Sequence, residues 1–239
     1  MVDDQVTPGL RHVRSRPTTR ATLVSVLFLP ALVVVASLGV SGCGGGDKAS
    51  GGSAGTSQGS DDTPSGYTVV PAPSVKDVSL PRADGSGPVA MPAVPNGLRL
   101  VYFGYTSCPD VCPTTMSDLR RAIAKLPAGE RDKVQVAMVS IDPARDNGPR
   151  LTDYVHNFFP EGDALRTDDQ AALKAATSPF GAQYSVKTNA KGEVEVTHTA
   201  EVYAVEDKGN VVMQWPFGTS YQAISKDLRN LLKGSASSS

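Results

Sequence analysis

Leu98-Arg99-Leu100-Val101-Tyr102-Phe103-Gly104 runs straight into Tyr105-Thr106-Ser107-Cys108-Pro109-Asp110-Val111-Cys112-Pro113. The first half is an apolar strand and the second a loop carrying two cysteines; Pro113 suits the first turn of a helix, where its missing N–H costs nothing. Met116, Leu119, Ile123 and Leu126 then recur at steps of three and four, which places them on one helical face. The segment therefore reads as strand, loop and helix, with both cysteines at the junction.

Outward from this unit, residues 134–141 read as a second buried strand. Residues 149–159 read as a helix with Leu151, Tyr154, Val155 and Phe158 inward, and 168–176 as a third. Strands alternating with helices favour an α/β core. The last third changes character: 194–197 and 201–205 are strand-like, Asp207-Lys208-Gly209-Asn210 is a turn, and 211–215 alternates back as a hairpin. Ile224, Leu228, Leu231 and Leu232 mark a closing amphipathic helix. The order βαβα followed by ββα is the thioredoxin-like plan, a central mixed sheet flanked by helices, and it occupies residues 98–233.

Upstream, residues 67–97 are rich in Pro and Val and read as an irregular or edge-strand lead-in, because Pro is excluded from central strands. Residues 44–66 hold 8 Gly and 5 Ser with almost no apolar side chains. Such a stretch cannot bury enough surface to offset chain entropy, and its 23 residues give a flexible reach of roughly 26 Å. Residues 43–66 are thus a tether headed by Cys43. Before them, Arg11, Arg14, Arg16 and Arg20 precede an uncharged apolar run, residues 21–40, that ends in Val40-Ser41-Gly42-Cys43. Basic residues, an apolar core and small residues before a cysteine read as a lipoprotein export signal over residues 1–42, with Cys43 as the lipidated residue. An uncleaved membrane helix is the alternative reading, but Pro30 and the terminal Cys argue against it. Either way the patterned domain is expected on the extracytoplasmic face of a membrane. Residues 234–239 read as a disordered tail.

The chain is near neutral, -1 overall, and nothing in it points to a nucleic-acid partner. Without residues 1–42 it retains 19 of its 23 basic and 22 of its 24 acidic residues. The mature protein thus reads as mildly acidic and without a polybasic patch, leaving the lipid to hold it at the membrane.

With Cys43 assigned to lipid, Cys108 and Cys112 remain as an even pair at a helix N-terminus, where backbone N–H groups stabilise a thiolate. Both are expected to be reactive. A CxxxC loop by itself is compatible with a redox dithiol, half of a zinc site or a copper site. Structural zinc normally takes four protein ligands, and this domain offers two Cys and two His. Two thiolates and one imidazole suit Cu(I). Of the histidines, His12 leaves with the signal, His156 lies on the outward side of its helix, and His198 lies at the entry to the hairpin, an end of the sheet that in a thioredoxin-like fold can approach the Cys loop; at this point a ligand role and a plain hydrogen-bonding role are both open. Asp142 and Asp146 read as structural groups at a strand end. Tyr105 and Asp110 flank the cysteines and are candidates to tune them.

Residues 102–115, from Tyr102 through Cys108-Pro109-Asp110-Val111-Cys112-Pro113 to Thr115, resemble the signature of the Sco/SenC family, and Ser140-Ile141-Asp142-Pro143-Ala144-Arg145-Asp146 resembles its second motif. The resemblance covers roughly residues 95–233. It implies a thioredoxin-like fold, copper held by two motif cysteines and one distant histidine (here Cys108, Cys112 and His198), and delivery to the CuA centre of cytochrome c oxidase. The implied partners are the CuA-bearing oxidase subunit and a copper donor protein. Two departures stand out: Thr197 where an Asp often precedes the histidine, and the lead-in 67–97 in place of the usual segment. A metallochaperone is the leading expectation, and a thiol-disulfide oxidoreductase using Cys108 and Cys112 is the alternative. A peroxidase of peroxiredoxin type lacks its PxxxTxxC arrangement.

Overall fold

A computed structural model describes residues 63–237; the export signal, Cys43 and most of the tether lie outside the described residues. In chain order the strands are β1 (Ser79–Pro81), β2 (Pro88–Ala90), β3 (Leu98–Gly104), β4 (Val134–Ser140), β5 (Asp163–Leu165), β6 (Tyr184–Thr188), β7 (Val194–His198), β8 (Val202–Glu206) and β9 (Val211–Trp215). The helices are α1 (Val111–Ala124), α2 (Ala128–Arg131), α3 (Gly148–His156), α4 (Gln170–Thr177) and α5 (Tyr221–Ser237).

Every residue of β3 is buried, so β3 has neighbours on both sides. It pairs in parallel with β4 and antiparallel with β8, giving a mixed five-stranded sheet of order β5-β4-β3-β8-β9. Arg99 breaks the apolar run at a cost that is offset locally. Its guanidinium donates to Asp163 Oδ2 at 2.5 Å, and Asp163 also takes Arg82 at 2.9 Å. The apolar stripe read for α1 is its buried face, with Met116, Leu119 and Ala122 inward, and α1 packs against α5.

The sequence reading missed two strands and gave residues 194–197 no partner. β5 is three residues long and begins with a charged residue, so it gave no hydrophobic run. β6 is mostly exposed, and its alternation is only the pair Tyr184 and Val186, too short to mark a strand. Residues 194–198 do not join the 202–215 hairpin; they fold back on β6 as a separate two-stranded ribbon, with His198 opposite Tyr184. The closing helix continues past Gly234 to Ser237, because Ala and Ser sustain a helix and no Pro intervenes.

The lead-in seals both edges of the sheet. Tyr67 exchanges two 2.9 Å backbone bonds with Gln214 on β9, and Val211 N–H donates to Pro73. On the far side Ala83 N–H donates to Ala164 at 2.8 Å and Arg166 N–H to Pro81 at 3.1 Å, beside β5. Edge strands left bare are sites of unwanted pairing; here one polypeptide segment covers both. The lead-in is fastened at its start by Asp227 of α5, 1% exposed, which accepts from Trp215 Nε1 at 2.9 Å, Ser65 N–H at 2.9 Å and Gly66 N–H at 3.1 Å.

Replacing Asp227 by Ala strands the buried indole N–H and two backbone N–H groups. The expected loss is about 2–4 kcal/mol of folding stability, read as a lower urea midpoint with an unchanged slope.

Candidate metal centre

The loop between β3 and α1 builds the site. The first N–H groups of a helix have no intrahelical acceptor. Asp110, at the N-cap of α1, makes no side-chain capping bond; its carboxylate instead accepts from Thr114 Oγ1 at 3.3 Å. Cys108 Sγ takes the vacant place, accepting the backbone N–H of Cys112 at 3.3 Å. Burial pushes the Cys108 thiol up, but hydrogen bonds from the Cys112 and Asp110 backbone, with help from the Cys112 thiol and the Tyr105 hydroxyl, bring it below its ordinary value.

Cys112 behaves oppositely. Its side chain is fully buried, and burial pushes its thiol up to about 12. The Tyr102 hydroxyl, donating to Cys112 Sγ at 3.4 Å, offsets only part of this. The two cysteines expected to be reactive are thus unequal: Cys108 is the half-buried, thiolate-favouring sulfur and Cys112 the buried, protonated one. The difference arises because only Cys108 sits where the helix N–H groups point.

His198, at the end of β7, has Nδ1 2.9 Å from the Thr199 carbonyl. A carbonyl only accepts, so Nδ1 carries the proton and the Nε2 lone pair is free to bind. Nε2 faces Cys112 Sγ at 3.9 Å. Burial lowers the imidazole pKa, outweighing the bonds to the Thr199 and Phe103 backbone, so the ring is neutral at neutral pH. The rings of Tyr102 and Tyr105 stand edge-on to it at 6.1 and 5.9 Å. Ligand atoms of Cys108, Cys112 and His198 all lie within 4.8 Å of one another, the only such group found among the described residues. Two soft sulfurs and one nitrogen, with no fourth side chain, fit a low-coordinate soft cation better than structural zinc.

A second tier holds this loop still. Asp146, fully buried, accepts from Thr106 N–H at 3.1 Å, Thr106 Oγ1 at 2.6 Å and Ser140 Oγ at 2.7 Å. Arg150 of α3 donates to Thr106 Oγ1 at 2.7 Å and Ser107 Oγ at 3.1 Å. Asp142 pairs with Arg145 instead. Both carboxylates are structural, as their place at a strand end implied, but Asp146 serves the cysteine loop as well as its own turn. Asp110 points outward and reaches the site only through its backbone, whereas Tyr105 touches both Cys108 and His198. His156 is exposed on α3.

Sequence reasoning missed Tyr102 and Gly104. A Cβ on Gly104 would stand 2.7 Å from the Tyr102 ring and 3.1 Å from Cys112 Sγ, so glycine keeps the room this sulfur fills. The signal was available: Tyr102 and Gly104 are two apart on a strand and so face the same side.

In the reduced, metal-free chain, iodoacetamide should modify Cys108 at least about tenfold faster than Cys112 at pH 7, because the thiolate is the nucleophile. Peptide mass mapping over time checks this; equal rates would remove the asymmetry.

The SCO1/SenC family model matches residues 84–233. The structure resembles that of apo Sco1 from Thermus thermophilus, 32% identical, with a TM-score of 0.63 over 72% of this chain and 99% of that one. It also resembles copper-bound ScoI from Bradyrhizobium japonicum, 26% identical, with a TM-score of 0.54 over 64% of this chain and 96% of that one. Protein SenC of Rhodobacter capsulatus is 33% identical over 109 residues, 46% of this chain and 48% of its own length. A SCO2-like protein of Rickettsia typhi is 29% identical over 56% of this chain and 66% of its own, so the chain spans about half to two thirds of these curated relatives. With the family model spanning more than half of the chain and the thioredoxin-like fold in place, the chain belongs to the SCO1/SenC family.

Proposed function

We propose that this domain carries copper as cargo on Cys108, Cys112 and His198 and delivers it to the CuA-bearing subunit of cytochrome c oxidase, from a lipid anchor at Cys43 on the extracytoplasmic face of the membrane. The observation that carries the reading is the convergence of two thiols and an unprotonated imidazole nitrogen within 4.8 Å. Copper-bound ScoI from Bradyrhizobium japonicum, of the same fold and 26% identical, supports the choice of metal. Cys108 offers a sulfur disposed to ionise, Cys112 a buried sulfur that gives up its proton when copper takes its place, and His198 a nitrogen whose tautomer Thr199 has already set. Loading therefore releases protons. Cys112 has its pKa raised, so it is protonated across the neutral range and protons compete for it; Cu(I) affinity falls as pH falls.

The second reading, a thiol-disulfide oxidoreductase, draws on the unequal thiols: the Cys108 thiolate attacks a partner disulfide, and Cys112 resolves the mixed disulfide, leaving Cys108–Cys112 oxidised and the partner reduced. That chemistry needs no histidine, which separates the two.

His198→Ala should keep the fold and most dithiol reactivity, weaken Cu(II) binding at least roughly tenfold, about 1.4 kcal/mol, and impair oxidase assembly in cells. Cu(I) should suffer less, because it remains two-coordinate between sulfurs. Normal assembly with unchanged Cu(II) affinity would hand the lead to the reductase. For the anchor, mass spectrometry of the membrane-bound protein should find Cys43 diacylated at the new N-terminus, and an unmodified Cys43 would sink that part.

A further inference from the structure

The sequence offers no run of lysines and arginines outside its N-terminus, yet the fold assembles one from residues far apart in the chain. At the C-terminal end of α1, Lys125 faces Lys226, Arg229 and Lys233 of α5 across a groove of about 240 Å³. The three α5 residues follow one stripe of the helix. No acidic side chain lines the groove among the described residues. Each of the two helices carries one acid, and both are engaged elsewhere: Asp118 pairs with Arg121 at 3.4 Å, and Asp227 binds Trp215. Arg121 is in turn stacked 3.7 Å over Tyr221. The expectation that the domain lacks a polybasic patch is thereby corrected, since tertiary packing builds what linear order does not.

A second observation points to a ligand. Ser225, 2% exposed, also lines the groove, and its Oγ has no hydrogen-bond partner. A buried hydroxyl left without an acceptor is unfavourable, and an anion seated among these cations supplies the acceptor. Ammonium and guanidinium groups around one hydroxyl fit the oxygens of a phosphate.

We propose that this groove docks the phosphate headgroups of anionic phospholipids and so orients the domain on the membrane. The lipid source is favoured over a free anion because the tether meets the domain on the same helix: Asp227 of α5 holds Ser65 and Gly66. Read as a flexible coil, the chain between Cys43 and Ser65 has a root-mean-square reach of roughly 26 Å, so a lipid held at Cys43 raises the local concentration of headgroups around α5. The groove lies at the opposite end of α1 from Cys112, and the 14 residues of that helix set the two about 20 Å apart. Seated this way, the domain presents Cys108, Cys112 and His198 to the aqueous side, where a membrane-bound partner's own exposed domain stands. The inference rests on the membrane-anchored reading for its setting; its test does not depend on lipidation of Cys43.

The full chain is reconstituted into vesicles of phosphatidylcholine alone and with roughly 30% phosphatidylglycerol, and amide hydrogen exchange is followed by peptide. Exchange in α5 and the last turn of α1 should slow at least about fivefold in the anionic vesicles only. The slowing should vanish near 1 M salt, where screening shortens to about 3 Å, and in K226E/R229E, whose copper binding should match wild type. Equal exchange in both vesicles, or slowing that persists in the variant, would overturn the proposal. So would slowing produced in phosphatidylcholine vesicles by inorganic phosphate alone, which marks a free-anion site. Loss of oxidase assembly in K226E/R229E without any lipid-dependent slowing would assign the groove to an acidic protein surface and overturn it as well. A chain that binds no copper yet shows the slowing sinks the chaperone reading and leaves the groove standing.

Discussion

The bond from Cys112 N–H to Cys108 Sγ, 3.3 Å long, sets the character of the site. Because Asp110 does not cap α1, the helix directs an unpaired N–H group at a sulfur, and the sulfur at that point becomes the ionisable one. The other sulfur, on the second residue of the helix, lies under β3 and is left to burial and the Tyr102 hydroxyl. Two chemically identical residues four positions apart thus acquire opposite tendencies from one helix terminus. The bond is useful only while the loop keeps its shape, and that is the work of Asp146 and Arg150, which grip Thr106 and Ser107 from the turn after β4 and from α3, with Ser140 of β4 donating to Asp146. A site on a loop gains the precision of the sheet through these contacts.

The elements legible in the sequence were those whose burial writes an apolar run or an apolar period. β3 and β4 announce themselves as near-continuous apolar runs, and α1 and the apolar residues of α3 and α5 by the one face that enters the core. β5 and β6 do not. The first is a three-residue strand whose leading residue is the ion partner of Arg99, and the second lies on an exposed ribbon where no apolar alternation is needed. Missing β6 hid the support of His198: the histidine reaches the cysteines from the end of β7, whose strand partner among the described residues is β6. The three ligand candidates could be named from residue types and motif resemblance, but their inequality could not, since it depends on which sulfur meets the helix N–H and which meets Tyr102.

Charge reads differently in one dimension and in three. Lys125 and Lys226 are separated by about a hundred positions, so counting along the chain yields only a mild acidic excess. Packing α1 against α5 collapses that separation while Asp227 is drawn inward by Trp215. The cationic groove is thus a product of the same helix pairing that closes the core.

The lead-in that covers both sheet edges also fixes the mechanical loading of the domain. Tension applied to the chain N-terminal to Ser65 arrives first at Asp227, then at the Tyr67–Gln214 pair on the outer strand β9. Both lie away from the Cys108 loop, which is braced from β4 and α3 on the other half of the sheet. A tug on the tether is therefore borne first by an edge strand and the terminal helix, at the periphery, before any of it reaches the braced loop that carries the two sulfurs.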